Sequence, residues 1–287
     1  MKSIYHSPAA KRDALALYDA QLQKLDLPFR DLYIDTDFGR THLVETGELS
    51  GPPLLVFHGG NPTAAYNLLT CRFLAADFHL YAVDIVGHPG KSAETSPPAR
   101  SYAYGRWASQ VVAGLGFERM RCLGGSFGAG VLAKWMCVAP QQVERAVLCV
   151  PAGIKNALPL GAAAMMVPLI QYRLTCDPRY VKRAAPYMSI TEEALDADTL
   201  ETVQMSFDCV KTKVGMPSNV SPRRMGRCAA PTLVLAGERD PLFPAHKVLP
   251  QAEAILPHCT TRLLADRGHI NTLTEGEKGE IVSFLKG

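Results

Sequence analysis

No apolar run in this 287-residue chain is long enough to span a bilayer. The longest, "LPLGAAAMMVPLI", contains Pro168 and falls short of the roughly 20 residues a spanning helix needs, so no membrane span is expected. Basic clusters are missing too. Lys and Arg are scattered and the formal net charge is only +3, which argues against nucleic acid as a partner, since such binders carry a basic stripe. The eight cysteines form no C-x-x-C pair, and no H-E-x-x-H or paired Cys/His spacing occurs, so no metal is expected. The glycine-rich stretch from Cys122 to Trp135 lacks the G-K-[ST] of a phosphate loop, so no nucleotide or other cofactor is expected. The opening "MKSIYHSPAAKRDALALYDAQL" lacks the apolar stretch of a secretory signal. With the thiols read as reduced core residues, a cytoplasmic location is expected.

What is present is enough apolar residue, 47% of the chain, to build a sizeable core. Residues 8 to 25 place Leu15, Leu17, Leu22 and Leu25 among charges, which predicts an amphipathic leading helix. "DLYIDTDFGRTHLVETGE" then alternates around the turn-like "DFGR", which predicts an antiparallel hairpin. From Pro53 onward short apolar runs alternate with helical segments: "LLVFH", "FHLYAVD", "RMRCLG" and "RAVLCV". Runs apolar on both faces suit a parallel sheet covered by helices, so the fold class is α/β. The rhythm stops between about Ile154 and Arg227, a stretch rich in Met, Ala, Leu and charged helix formers, and resumes at "PTLVLAGERD". The expected organisation is a core domain of residues 1–153 and 228–287 with a helical cap, residues 154–227, inserted after the sixth strand.

"CLGGSFGAGVLAKW", Cys122 to Trp135, crowds glycines where a strand passes into a helix. Glycine weakens both elements, so its presence implies a demand for space. If Ser126 sits at the tip of a sharp turn, its neighbours two residues away on each side crowd together, and Gly124 and Gly128 relieve that crowding. The pattern is the G-x-S-x-G nucleophile elbow in the strand-to-helix context it requires.

With that motif and element order the sequence resembles the α/β-hydrolase superfamily from about residue 31 to the end, and segments such as "YAVDIVGHPGKS" look most like its bacterial carboxylesterases. The resemblance implies a catalytic base at His269, in "DRGHIN" after the last strand, and an acid at Asp240, in "LVLAGERDPLFP". The order Ser126, Asp240, His269 is the one this fold uses. Glu238, two residues away, is the rival acid. Oxyanion donors are expected from the backbone N–H of Phe127 and from the "VFHGGNPTAA" loop, where Gly60 is the candidate and Asn61 the alternative. His58 and His88 are assigned to loop structure. Serine at the elbow separates the chain from the haloalkane dehalogenases and epoxide hydrolases of this fold, which use aspartate there.

The expected function is serine hydrolysis of small to medium apolar carboxylic esters through an acyl-enzyme, with a small-molecule ester as the only partner and the oligomeric state left open. Met165 and Met166, in the apolar stretch of the cap, are candidates for the acyl pocket. Two alternatives remain. "HGG" and "GGSFG" partly resemble prolyl iminopeptidases, whose need for acidic cap residues "ITEEALDADTLE" could meet, and a non-catalytic binder could keep the fold.

Overall fold

Alternation along the apolar runs decides the architecture. In β3 (Pro53–Phe57), Leu55 and Phe57 enter one core cluster while Leu54 and Val56 enter another on the opposite face. In β7 (Thr232–Gly237) the same split separates Val234 and Ala236 from Leu233 and Leu235. A strand apolar on both sides is stable only between two layers of helix. The computed structural model, which describes residues 3–60, 62–156, 163–175, 177, 179–189, 196–211 and 215–287, has this sandwich.

The other strands are β1 (Phe29–Thr36), β2 (Gly39–Gly47), β4 (His79–Val83), β5 (Met120–Gly125), β6 (Val143–Cys149) and β8 (Cys259–Leu264). They form one eight-stranded sheet of order β1-β2-β4-β3-β5-β6-β7-β8. The β1–β2 hairpin is antiparallel, as "DFGR" predicts, β2 joins β4 antiparallel, and every later pairing is parallel. One face is covered by α3 (Ala103–Gly114), α4 (Phe127–Val138) and α9 (Ala245–Ile255), with Trp107 and Trp135 fully buried. The other face carries α1 (Pro8–Lys24), α2 (Ala64–Thr70) and α10 (Glu275–Lys286), which contribute Tyr18, Leu68 and Ile281. Thr274 and Glu277 close a reciprocal capping box at the start of α10.

Between β6 and β7 lie α5 (Ala163–Thr175), α6 (Arg179–Met188), α7 (Ala197–Asp208) and the short α8 (Pro222–Met225). α7 is fastened to the sheet domain by Lys24–Asp198 (2.7 Å), Gln21 Nε2 to Thr202 Oγ1 (2.9 Å) and Tyr66 Oη to Thr199 Oγ1 (2.8 Å). The chain start adds a strap. Tyr5 pairs with Val210 in an isolated bridge, and its hydroxyl accepts from Gly90 N–H at 3.1 Å. α5 is apolar enough in sequence to expect burial on most sides, but burial is one-sided: Pro168 and Tyr172 are buried while Val167, Ile170 and Leu174 are exposed. Tyr172 anchors the inner side by donating to the Asp208 carboxylate at 2.8 Å, and this contact turns the aliphatic residues outward.

Candidate active site

β3, β5, β7 and β8 run parallel, so the loops after all four emerge at the same edge of the sheet. Clefts in open α/β sheets lie at that carboxyl edge. Ser126 stands between β5 and α4, and its backbone has φ +51° and ψ −114°, a conformation that strains any residue with a Cβ. Three backbone hydrogen bonds hold it there: Ser126 N–H donates to Cys149 C=O (2.9 Å), and Ser126 C=O accepts from Gly130 (3.1 Å) and Ala152 (3.1 Å). The crowding anticipated for the flanking glycines is present. A Cβ at Gly124 would stand 2.7 Å from Ala129 N, and one at Gly128 would stand 2.5 Å from Phe57 O. Gly125 differs, for a Cβ there would meet nothing within 4 Å. The side of the turn next to Ser126 is therefore open.

The three residues expected to work together meet. Ser126 Oγ lies 2.9 Å from His269 Nε2, and His269 Nδ1 lies 2.8 Å from Asp240 Oδ2. Asp240 is buried, while Ser126 keeps partial exposure, as a group that must reach a substrate requires. Burial pushes the Asp240 carboxyl upward, but the His269 charge and hydrogen bond, with the N–H groups of Phe243 and Leu242, outweigh it and hold it below the usual carboxylate range. Those N–H groups reach Asp240 Oδ1 at 3.0 and 2.7 Å. The result is an Asx turn, and the "DPLF" after the strand is its sequence signal. The Phe243 ring meets the imidazole edge-on at 5.4 Å between centroids, a contact that sequence reasoning missed. Glu238 is exposed, and its carboxylate accepts from Asp266 N–H at 2.9 Å, in the loop that leads to His269.

Gly60 and Phe127 are neighbours, since a Cβ on Gly60 would lie 3.5 Å from Phe127 Cβ. Phe127 is the first residue of α4, so its N–H belongs to the four that a helix start leaves without a partner in the helix. Asn61 lies outside the described residues. The Gly60 loop is fixed from behind. His58, fully buried, donates from Nδ1 to Gly59 C=O (2.7 Å) and accepts at Nε2 from Ile85 N–H (2.9 Å). Desolvation lowers its basicity, so it serves as a neutral strut. His88 is buried with its ring 4.4 Å from that of Phe127.

Asp84 holds the same loop at its far end. Its Oδ1 accepts from Ala64 N–H at the start of α2, and its Oδ2 accepts from Lys91 N–H, both at 2.9 Å. His42 Nδ1 adds a contact of 2.8 Å, and its Nε2 faces Asp31 Oδ1 at 2.7 Å. The sequence held no signal that His42, from the β1–β2 hairpin, would join the Asp84 loop.

Met165 and Met166 fall on α5, but their side chains lie outside the described residues. In "ITEEALDADTLE", residues 190–195 also lie outside them. Asp196 caps α7 through Thr199 N–H (2.7 Å), Asp198 pairs with Lys24, and Glu201 is exposed. Among the described residues no group of His, Cys, Asp or Glu could hold a metal ion, and no helix is long and apolar enough to cross a membrane.

Known proteins match this chain along nearly its whole length. Carboxylesterase YbfK of Bacillus subtilis is 26% identical over 97% of this chain and 96% of its own, and an uncharacterised carboxylesterase, nap, of the same organism is 22% identical over 90% and 86%. The crystal structure of naproxen esterase from Bacillus subtilis superposes with a TM-score of 0.81 at 19% identity, covering 97% of this chain and 99% of that one. That of carboxylesterase CesB (YbfK) gives 0.78 at 23%, covering 96% and 98%. A family model matches residues 54–278, from β3 to within α10, the span that carries the elbow serine, the buried aspartate and the loop histidine. The chain therefore belongs to the alpha/beta hydrolase family.

Proposed function

We propose that this protein is a serine carboxylesterase that cleaves esters of small to medium apolar acids. One observation carries the reading: an accessible serine hydroxyl on a strained turn lies 2.9 Å from an imidazole whose other nitrogen is fixed on a buried carboxylate. A hydroxyl is a weak nucleophile at neutral pH and needs a base within hydrogen-bond reach. As Ser126 Oγ bonds to the ester carbonyl carbon, its proton passes to His269 Nε2, and Asp240 stabilises the resulting imidazolium. The N–H groups of Phe127 and Gly60 receive the oxyanion. Collapse returns the proton to the departing alcohol and leaves Ser126 acylated; water, deprotonated by the same His269, then releases the acid and regenerates Ser126. Met165 and Met166 of α5 are assigned to the acyl pocket.

The esterase relatives favour an ester over an aminoacyl substrate. A fluorophosphonate probe followed by peptide mapping tests the nucleophile, with Ser126 the expected single site. Full labelling of Ser126→Ala would overturn the assignment. A panel of chromogenic esters beside aminoacyl anilides tests the substrate class, and faster turnover of the anilides would overturn it.

A further inference from the structure

The outward side of α5 has no explanation in the chemistry above. Val167, Ile170 and Leu174 are 57%, 53% and 80% exposed, and the spacing i, i+3, i+7 puts them on one stripe. The helix is not loose: its opposite side is buried at Pro168 and Tyr172, with Tyr172 bonded to Asp208 and its ring against Phe207 at 5.8 Å. An anchored helix thus presents aliphatic residues to water. Large apolar side chains scattered singly over a surface are ordinary, but a stripe on one helix calls for an occupant.

The surrounding charge says which. Between residues 163 and 188 the sequence has four cations, Arg173, Arg179, Lys182 and Arg183, against one acid, Asp177. That acid is already bound by Arg179 at 2.6 Å. Arg173 is exposed beside the stripe, and α6 exposes Arg179 and Arg183 one turn apart, opposite its buried Val181 and Ala184. A second copy of the chain fits poorly. Three aliphatic side chains fall far short of the roughly 800 Å² per partner of a stable dimer, and a twofold axis through the stripe would set like charges against each other. An apolar stripe with Arg173 beside it, on an anchored helix that pairs with the arginine-bearing α6, suits an anionic lipid surface, where aliphatic residues enter the acyl boundary and guanidinium groups meet phosphates.

We propose that the outward face of α5, with the cations of α5 and α6, docks the protein reversibly on an anionic lipid surface. Binding is read without catalysis, so its failure and the failure of the esterase reading are distinguishable.

The test is cosedimentation of the full chain with vesicles of phosphatidylcholine alone and with 30% phosphatidylglycerol. The proposal expects at least tenfold stronger binding to the anionic vesicles, weakening as salt rises. Ile170→Asp with Leu174→Asp should remove at least nine-tenths of that binding while hydrolysis of a soluble acetate ester is retained. Arg173→Glu with Arg183→Glu should abolish the preference for anionic lipid. Equal binding to both vesicle types, or unchanged binding by the aspartate variant, would overturn the proposal. A concentration-dependent dimer in sedimentation velocity that the aspartate variant abolishes would also overturn it, by assigning the stripe to a second copy.

Discussion

Two histidine–aspartate pairs stand in this protein with the same Nδ1 to Oδ2 distance of 2.8 Å, His269 with Asp240 and His42 with Asp84. What differs is the second nitrogen. On His269 it meets the hydroxyl of Ser126, and on His42 it meets another carboxylate, Asp31. A nitrogen facing a hydroxyl can accept a proton, whereas one facing a carboxylate is held as a donor. The first pair suits the proton transfer proposed above, and the second fastens the hairpin, the Asp84 loop and the start of α2 together. A histidine beside an aspartate is therefore no sign of catalysis until the partner of its other nitrogen is known.

The sharpest way to break the comparison is to remove the charge from each aspartate in turn. Asp240→Asn should lower kcat by about 10⁴, as loss of the orienting carboxylate does in serine proteases, with the thermal midpoint little changed. Steady-state kinetics beside calorimetry checks it. A larger loss from Glu238→Gln would move the acid.

Asp84→Asn should behave in reverse, destabilising by about 1–3 kcal/mol, because its amide nitrogen would face one of the two backbone N–H groups, of Ala64 or Lys91, that the carboxylate oxygens accept from. Burial pushes the Asp84 carboxyl up, but His42, His58 and Lys91 N–H together hold it below the usual range. A lowered carboxyl stabilises the fold above its ordinary value near ~3.9, and that stability is lost as pH falls through the lower folded value. Denaturant melts from pH 7 to 3 should accordingly fall more steeply for wild type than for Asp84→Asn. Parallel curves would show that Asp84 carries no such linkage.

The third contrast is among the glycines of the elbow. Gly128→Ala would drive a methyl into the end of β3 and should destabilise by about 1–3 kcal/mol with loss of activity, whereas Gly125→Ala enters open space and should be nearly neutral. Equal behaviour of the two would mean that the turn relaxes.

The smallest effect concerns the acyl pocket. Each added methylene on the acyl chain should improve kcat/KM by up to about 0.8 kcal/mol until the pocket is full, and Met166→Gln should flatten that series while leaving acetate esters little changed. Acetyl through octanoyl esters measured on both proteins check it, and parallel profiles would remove Met166 from the acyl pocket.

These contrasts mark where the sequence stops speaking. The strands were legible because burial on both faces imposes an unbroken apolar run on the chain, as in β3 and β7. The elbow was legible because its glycines are a local steric requirement. The His42 pair, by contrast, draws on β1, β2 and the loop after β4, and no local pattern announces a contact across so many residues. Ring packing of Phe243 on His269 was hidden for the same reason.

By itself, then, the sequence determined the order of strands and helices, the strained turn at Ser126 and the residue types around it, since each depends on neighbours a few positions away. Tertiary structure alone decided which carboxylate reaches His269, which histidine is a strut, and that α5 turns one apolar side to water. Those outcomes depend on where the sheet edge and α7 bring distant segments together, which is a property of packing in space and leaves no period in the chain.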